Sequence, residues 1–178
     1  AGVGKIVHLS TLGVHAKAPE AYLRSKWEAE RIIESCGLSY TIFRPSLVFG
    51  AGDRVVSQLL TVCRYSPVIP LLGDTDARVQ PIWVGDVATA VLRALKDRST
   101  DSAIYELGGP ESLTVADVVD AIKRETKRPA VPVKVPRFLS GPLVRLVEQL
   151  LDRPPVTEDQ LAPLAAGGTC DPNAAAVA

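Results

Sequence analysis

A chain of 178 residues with 47% hydrophobic content is long enough to bury a core of its own, which excludes a disordered tail or a small disulfide-stapled scaffold. Its 20 basic and 20 acidic residues cancel, so there is no positive excess to neutralise a phosphate backbone, and nucleic acid is not expected as a partner. Cys36, Cys63 and Cys170 form no C-x-x-C pair and His8 and His15 have no metal-ligand spacing, which predicts a reduced, metal-free protein of the cytoplasm.

Taken in chain order, Lys5 to Ser10 predicts a buried strand. Only AGVG precedes it, so the chain is expected to open in mid-fold. Pro19 to Cys36 predicts a helix, with Pro19 suited to its first turn and Gly37 to its C-terminal stop. Ser39 to Val48, SYTIFRPSLV, is rich in β-branched and aromatic residues and predicts the next strand. A β-α-β unit of this kind is the signature of a parallel sheet.

Residues 54–65 predict an amphipathic helix, and SPVIPLLGD a loop with a short extended piece. Val79 to Val84 predicts a strand, after which Asp86 is expected to cap the helix VATAVLRAL. IYELGG reads as a further short strand, and Thr114 opens the helical TVADVVDAIKRET with Asp117 placed for a capping box. Beyond Pro129 come the extended VPVKVP and a strongly apolar helix within 138–151; from Ala162 onward an Ala/Gly-rich tail is expected to be disordered.

The chemistry centres on Tyr22-Leu23-Arg24-Ser25-Lys26. Positions i and i+4 are neighbours on a helix, so a phenol and an ammonium share one face. A tyrosine with a reference pKa of about 10 exchanges protons poorly at neutral pH, and an adjacent cation favours its phenolate, fitting it for general acid/base work. By itself the spacing also suits an amphipathic helix with a snorkelling lysine.

The surroundings of the pair are more specific. The strand VHLST precedes it, and Arg44-Pro45-Ser46-Leu47-Val48-Phe49-Gly50, Val84-Gly85-Asp86-Val87-Ala88 and Tyr105-Glu106-Leu107-Gly108-Gly109-Pro110-Glu111 follow. In this order, over about residues 4 to 160, they resemble the extended short-chain dehydrogenases/reductases of the NAD-dependent epimerase/dehydratase superfamily.

That resemblance implies an α/β fold: a Rossmann-like parallel sheet in residues 1–100, a small α/β substrate-binding region in 101–161, and a disordered 162–178. It implies NAD or NADP as cofactor. Lys26 would bind the ribose hydroxyls, Tyr22 would exchange a proton with the substrate oxygen, and backbone groups from Pro45 through Ser46 to Val48 would meet the carboxamide. Ser10 joins Tyr22, Lys26, Pro45, Ser46 and Val48 as an expected cofactor contact. Tyr22, Lys26, Ser10 and Thr11 form the expected catalytic set, in which Ser10 or Thr11 substitutes for a hydroxyl that the family carries where this chain has Leu12.

Arg78 stands one residue further from Asp86 than the diphosphate-holding arginine of sugar-nucleotide epimerases, and Gln80-Pro81 replaces their charged-aromatic pair. With Y-L-R-S-K, R-V-Q-P-I-W-V-G-D-V-A and P-P-V-T-E-D-Q-L, the chain is more similar to bacterial relatives of the NAD(P)H-binding accessory subunit of respiratory complex I. That subgroup keeps Y-x-x-x-K without the full catalytic tetrad.

No G-x-x-G-x-x-G loop follows a strand here, so the half that would take the pyrophosphate is expected to be missing. Two functions stand open: an NAD(P)-dependent oxidoreductase or epimerase acting on a small molecule, and a non-catalytic NAD(P)H-binding accessory or assembly factor. In the second, the 138–151 helix would dock on a partner complex or peripherally on the inner face of a membrane.

Overall fold

The computed structural model describes residues 2–53, 55–65, 68–71, 76–126, 131–134 and 168–170. Its elements are β1 (Lys5–Leu9), α1 (Ala21–Ser35), β2 (Ser39–Pro45), β3 (Val48–Phe49), α2 (Val55–Tyr65), β4 (Val68–Leu71), β5 (Arg78–Val79), β6 (Ile82–Trp83), α3 (Val84–Lys96), a 3-10 turn (Arg98–Thr100), β7 (Ala103–Leu107), β8 (Leu113–Thr114), α4 (Val115–Thr126) and β9 (Val131–Lys134).

β1, β2 and β7 form a parallel sheet in the order β1-β2-β7, with Leu9 opposite Phe43 and Pro45 opposite Leu107. Side chains alternate between the faces of a strand, so this register decides what each helix meets. Val7, Phe43, Tyr105 and Leu107 turn toward α3, where Val87, Ala90 and Ala94 close an apolar core with Ile82. His8, Ser10 and Arg44 turn the other way, toward α1. The α3 side is locked further by Lys5, whose ammonium donates to the Ala94 carbonyl (2.6 Å) in the last turn of α3 and to the Thr100 hydroxyl (2.9 Å) in the 3-10 turn that follows.

α1 begins at Ala21 rather than Pro19, because Glu20 is extended; Arg24 reaches back to the Ala18 and Pro19 carbonyls at 2.7 Å. It stops at Ser35, where Gly37 adopts φ +77°. A second core joins α2, β4 and α4 through Leu47, Cys63, Ile69, Val79, Val118, Val119 and Ile122.

Several expectations need correction. Val79 to Val84 is not one strand: β5 and β6 are separated by Gln80-Pro81, since proline has no N–H for a ladder. Ser39 to Val48 is likewise divided into β2 and β3 at Ser46-Leu47. Asp86 does not cap α3. The helix starts at Val84, directly after the extended Trp83, and leaves Asp86 in the first turn, where its charge complements the helix dipole. Within the expected tail, Gly168 bridges Val79 and Cys170 is buried, while 162–167 and 171–178 lie outside the described residues. The apolar helix expected within 138–151 lies outside the described residues.

The capping box is present: the Asp117 N–H donates to Thr114 Oγ1 (3.0 Å), and Asp117 Oδ2 accepts from the Thr114 N–H (2.9 Å) and hydroxyl (2.7 Å). Replacing Thr114 by Ala should therefore lower the unfolding free energy by about 1 kcal/mol. In urea titration the midpoint should fall with the slope unchanged; an unmoved midpoint would show that the box contributes nothing.

Candidate functional site

Because β1, β2 and β7 are parallel and in register, their C-terminal ends lie side by side, at the edge where open α/β sheets take their ligands. The loops leaving that edge are laced together. Ser10 N–H donates to the Phe43 carbonyl (2.7 Å), Leu12 N–H to Pro45 (3.0 Å) and Ser46 N–H to Leu107 (2.8 Å).

α1 presents Tyr22 and Lys26 to the same edge. The Lys26 ammonium donates to the Leu9 carbonyl at 3.0 Å and stands 5.9 Å from the centroid of the Tyr22 ring. An ammonium carries three hydrogens, so the bond to Leu9 orients it and leaves two for a ligand's hydroxyls. The Tyr22 ring rests on the buried Val14, Ala18 and Leu23.

The expected hydroxyls turn inward. Ser10 and Thr11 are both buried, and Thr11 Oγ1 donates to the Pro45 carbonyl at 3.5 Å. The Ser10 hydroxyl lies beside the Glu30 carboxylate under α1 and helps hold it ionised, although its geometry falls short of a well-formed hydrogen bond. Leu12 is 5% exposed, and a Cβ placed on Gly168 would come within 3.0 Å of its own Cβ. Its place is apolar core, with no hydroxyl to offer.

Along Pro45 to Val48 the polar groups are also largely committed. The Ser46 hydroxyl donates to the Gly168 carbonyl (3.2 Å) and accepts from the Gln80 N–H (3.0 Å), while the Leu47 carbonyl accepts from Ile82 (2.9 Å). Ser46 thus braces the protein's own backbone. Val48 pairs with Ile82 between β3 and β6, beside the site.

Sequence reasoning missed Gln80 and the 168–170 segment. Gln80 is buried; its Oε1 accepts the Cys170 N–H at 2.5 Å and its carbonyl accepts the Gly109 N–H at 3.1 Å. Gly108 makes room for this, since a Cβ there would come 2.4 Å from Cys170 Sγ. The available signal was a lone amide between Val79 and Pro81 in an otherwise apolar stretch. Arg78 bonds instead to the Ser112 carbonyl (3.4 Å), away from Tyr22.

Beneath α1 lies a charged layer. Glu30 is fully buried (0% exposed) and accepts from Arg44 Nε (3.0 Å) and Nη2 (2.5 Å). Burial pushes its carboxyl up, but Arg44, Ser10 and His8 together bring it below the usual range. The Arg44 guanidinium is held above its ordinary value, chiefly by the bond to Glu30, with Glu106 adding to it. The His8 imidazole sits low, first through burial and then through Lys26, against the pull of Glu30; its Nε2 is buried without a partner. A cleft of about 300 Å³ opens on the α3 side between Asp86, Thr89, Arg93 and the Gly108-Gly109-Pro110 turn, but neither Tyr22 nor Lys26 lines it.

Residues 4–108 match the family described as the NAD dependent epimerase/dehydratase family. Among curated proteins, the mitochondrial NADH dehydrogenase (ubiquinone) 1 alpha subcomplex subunit 9 of Arabidopsis thaliana is 30% identical over 146 residues, covering 79% of this chain and 36% of that protein. The Mus musculus protein of the same name is 29% identical over 163 residues, covering 90% and 43%. The chain spans 36% to 45% of the length of such relatives. The structure of a UDP-glucose 4-epimerase from Thermotoga maritima with UDP-glucose superposes with a TM-score of 0.65 at 22% identity, covering 93% of this chain and 63% of that one, a likeness of fold.

Two outcomes follow from this geometry. In a Cys36→Ser background, where Cys63 and Cys170 are buried, Ser46→Ala should release the 168–170 segment and make one thiol reactive toward a disulfide reagent; unchanged protection would deny Ser46 its bracing role. His8 and Glu30 both titrate below their ordinary values, so the folded protein binds fewer protons than the unfolded and each contributes stability that is lost on acidification. The loss begins as pH falls below 6.5 for His8 and below 4.5 for Glu30. His8→Gln should flatten the upper stage of the melting-temperature profile, and an upper stage that survives would assign it elsewhere.

Proposed function

The chain belongs to the NAD-dependent epimerase/dehydratase family, and on that footing we propose that the Tyr22–Lys26 face of α1 holds the ribose and nicotinamide end of NAD(P)H. The observation that carries this is the Lys26 ammonium, pinned by one hydrogen bond at the end of β1 with two donors to spare. Lys26 takes the ribose hydroxyls, Tyr22 stands above them, and the main chain around Val48 meets the carboxamide. Ser10 and Pro45 act indirectly, as the backbone that shapes the strand ends. The glycine loop for the pyrophosphate is not among these residues.

Bound nicotinamide supplies a hydride donor or acceptor. In an oxidoreductase or epimerase Tyr22 Oη gives or takes the accompanying proton, with Lys26 as the neighbouring charge. A second reading is favoured by Leu12 and by the inward-turned hydroxyls of Ser10 and Thr11: the chain binds the cofactor without turning it over, as an accessory or assembly factor of a membrane-borne respiratory complex. The relatives named as NADH dehydrogenase subunits support that setting. No helix among the described residues is long and apolar enough to cross a membrane. The two readings share the binding and differ in whether Tyr22 transfers a proton. The geometry supports binding more strongly than turnover.

In the full-length protein, Lys26→Met should weaken NADH binding roughly ten- to hundredfold in fluorescence titration, the value of charge-assisted hydrogen bonds lost at a site of this kind. Affinity equal to wild type would overturn the binding role. Tyr22→Phe should leave affinity nearly intact, and where turnover of a carbonyl or carbinol substrate is found it should fall about a hundredfold or more. Turnover untouched by that change would remove the catalytic reading and leave the accessory one.

A further inference from the structure

The residues assigned so far do not explain why a carboxylate is buried beneath the helix that carries them. Tyr22, Lys26 and Glu30 succeed one another at intervals of four and form one stripe of α1. Among the described residues Glu30 is the fully buried acid, and both of its oxygens are taken by Arg44 of β2. Removing an ion pair from water costs several kcal/mol per charge, and a well-packed apolar pair in its place is often as stable. Stability alone therefore gives a weak reason for this pair.

Geometry gives a stronger one. A planar guanidinium gripping a carboxylate at two points fixes direction as well as distance, which a single contact does not. Here the fork joins the helix that bears Tyr22 and Lys26 to the residue just before Pro45, whose carbonyl in turn holds the Leu12 N–H and the Thr11 hydroxyl. It also settles a competition of charges. A glutamate four residues after a lysine lies within that lysine's reach on a helix, although the reverse order pairs better. With both oxygens of Glu30 on Arg44, Lys26 turns instead to the Leu9 carbonyl at the strand end.

We propose that Glu30, acting through Arg44, is a positioning residue for the cofactor: it sets the rotation of α1 over the sheet so that Lys26 and Tyr22 stand at the strand ends where the ribose binds. The inference rests on the binding reading above. It differs from a purely structural role in what an apolar replacement of the pair should do.

The test compares NADH affinity and melting temperature in full-length wild type, the Glu30→Leu/Arg44→Met double variant, Arg44→Lys, and Lys26→Met in parallel. The double variant should melt within a few degrees of wild type while its dissociation constant rises about tenfold, since packing is kept and orientation is lost. Arg44→Lys keeps the charge but not the fork, so it should lose several-fold in affinity, and it remains informative if the double variant fails to fold. Wild-type affinity in either variant, when folded, overturns the positioning role while the binding reading stands. Wild type that takes up no NADH, or Lys26→Met that binds like wild type, brings down the binding reading and this inference with it.

Discussion

The register of three parallel strands is the constraint on which everything else depends. With Leu9 opposite Phe43 and Pro45 opposite Leu107, three chain segments reach the same edge together, and the loops that leave them can bond to one another. A slip of one residue in β2 would exchange its faces. Phe43 would then point at Glu30, and Arg44 would enter the apolar layer under α3. Either substitution is unaffordable in that dielectric, so the charged pair and the aromatic core hold the register in place from opposite sides.

The two faces of this sheet are built on different principles. On the α3 side, Val87, Ala90 and Ala94 pack closely on Phe43, Ile82 and Leu107, and the polar group from β1 that reaches that side, Lys5, is drawn to the carbonyls at the end of the helix. On the α1 side His8, Glu30 and Arg44 occupy space that apolar side chains would fill at lower cost. Polar layers of this sort specify orientation more sharply than oily ones, because each bond has a direction. The side with direction is the one that carries Tyr22 and Lys26.

What was legible in the sequence follows from range. The Tyr22–Lys26 juxtaposition and the Thr114–Asp117 box depend on helical spacing within one or two turns, so reading the period was enough to find them. The strand order of β1, α1 and β2 was legible for the same reason, as a short crossover with periodicity changing from two to 3.6. Glu30 was not, because its partner lies 14 residues away on another element, and a glutamate on a helix carries no mark of burial. Asp86 misled because acidic residues favour both the cap and the first turn, and the cap fell to Trp83 through backbone conformation alone. Gly168 and Cys170 were read as tail because composition says nothing about a bond to Gln80 across 90 residues.

Leu12 bears most directly on what the site can do. A hydroxyl at the end of β1 would have to face the ligand edge to share a proton with Tyr22, yet the space there is filled: Leu12 packs on Gly168, Gly168 is held by Ser46 and Arg78, and Cys170 is held by Gln80. A serine at that position would gain a donor and lose the contact that seats the segment, leaving a void against Gly168. The leucine preserves this packing and offers no hydroxyl, whereas the Lys26 ammonium remains anchored at the Leu9 carbonyl. Among the described residues, the contacts around Leu12 are thus committed to packing the 168–170 segment, while the Lys26 ammonium is anchored at the strand end by one hydrogen bond.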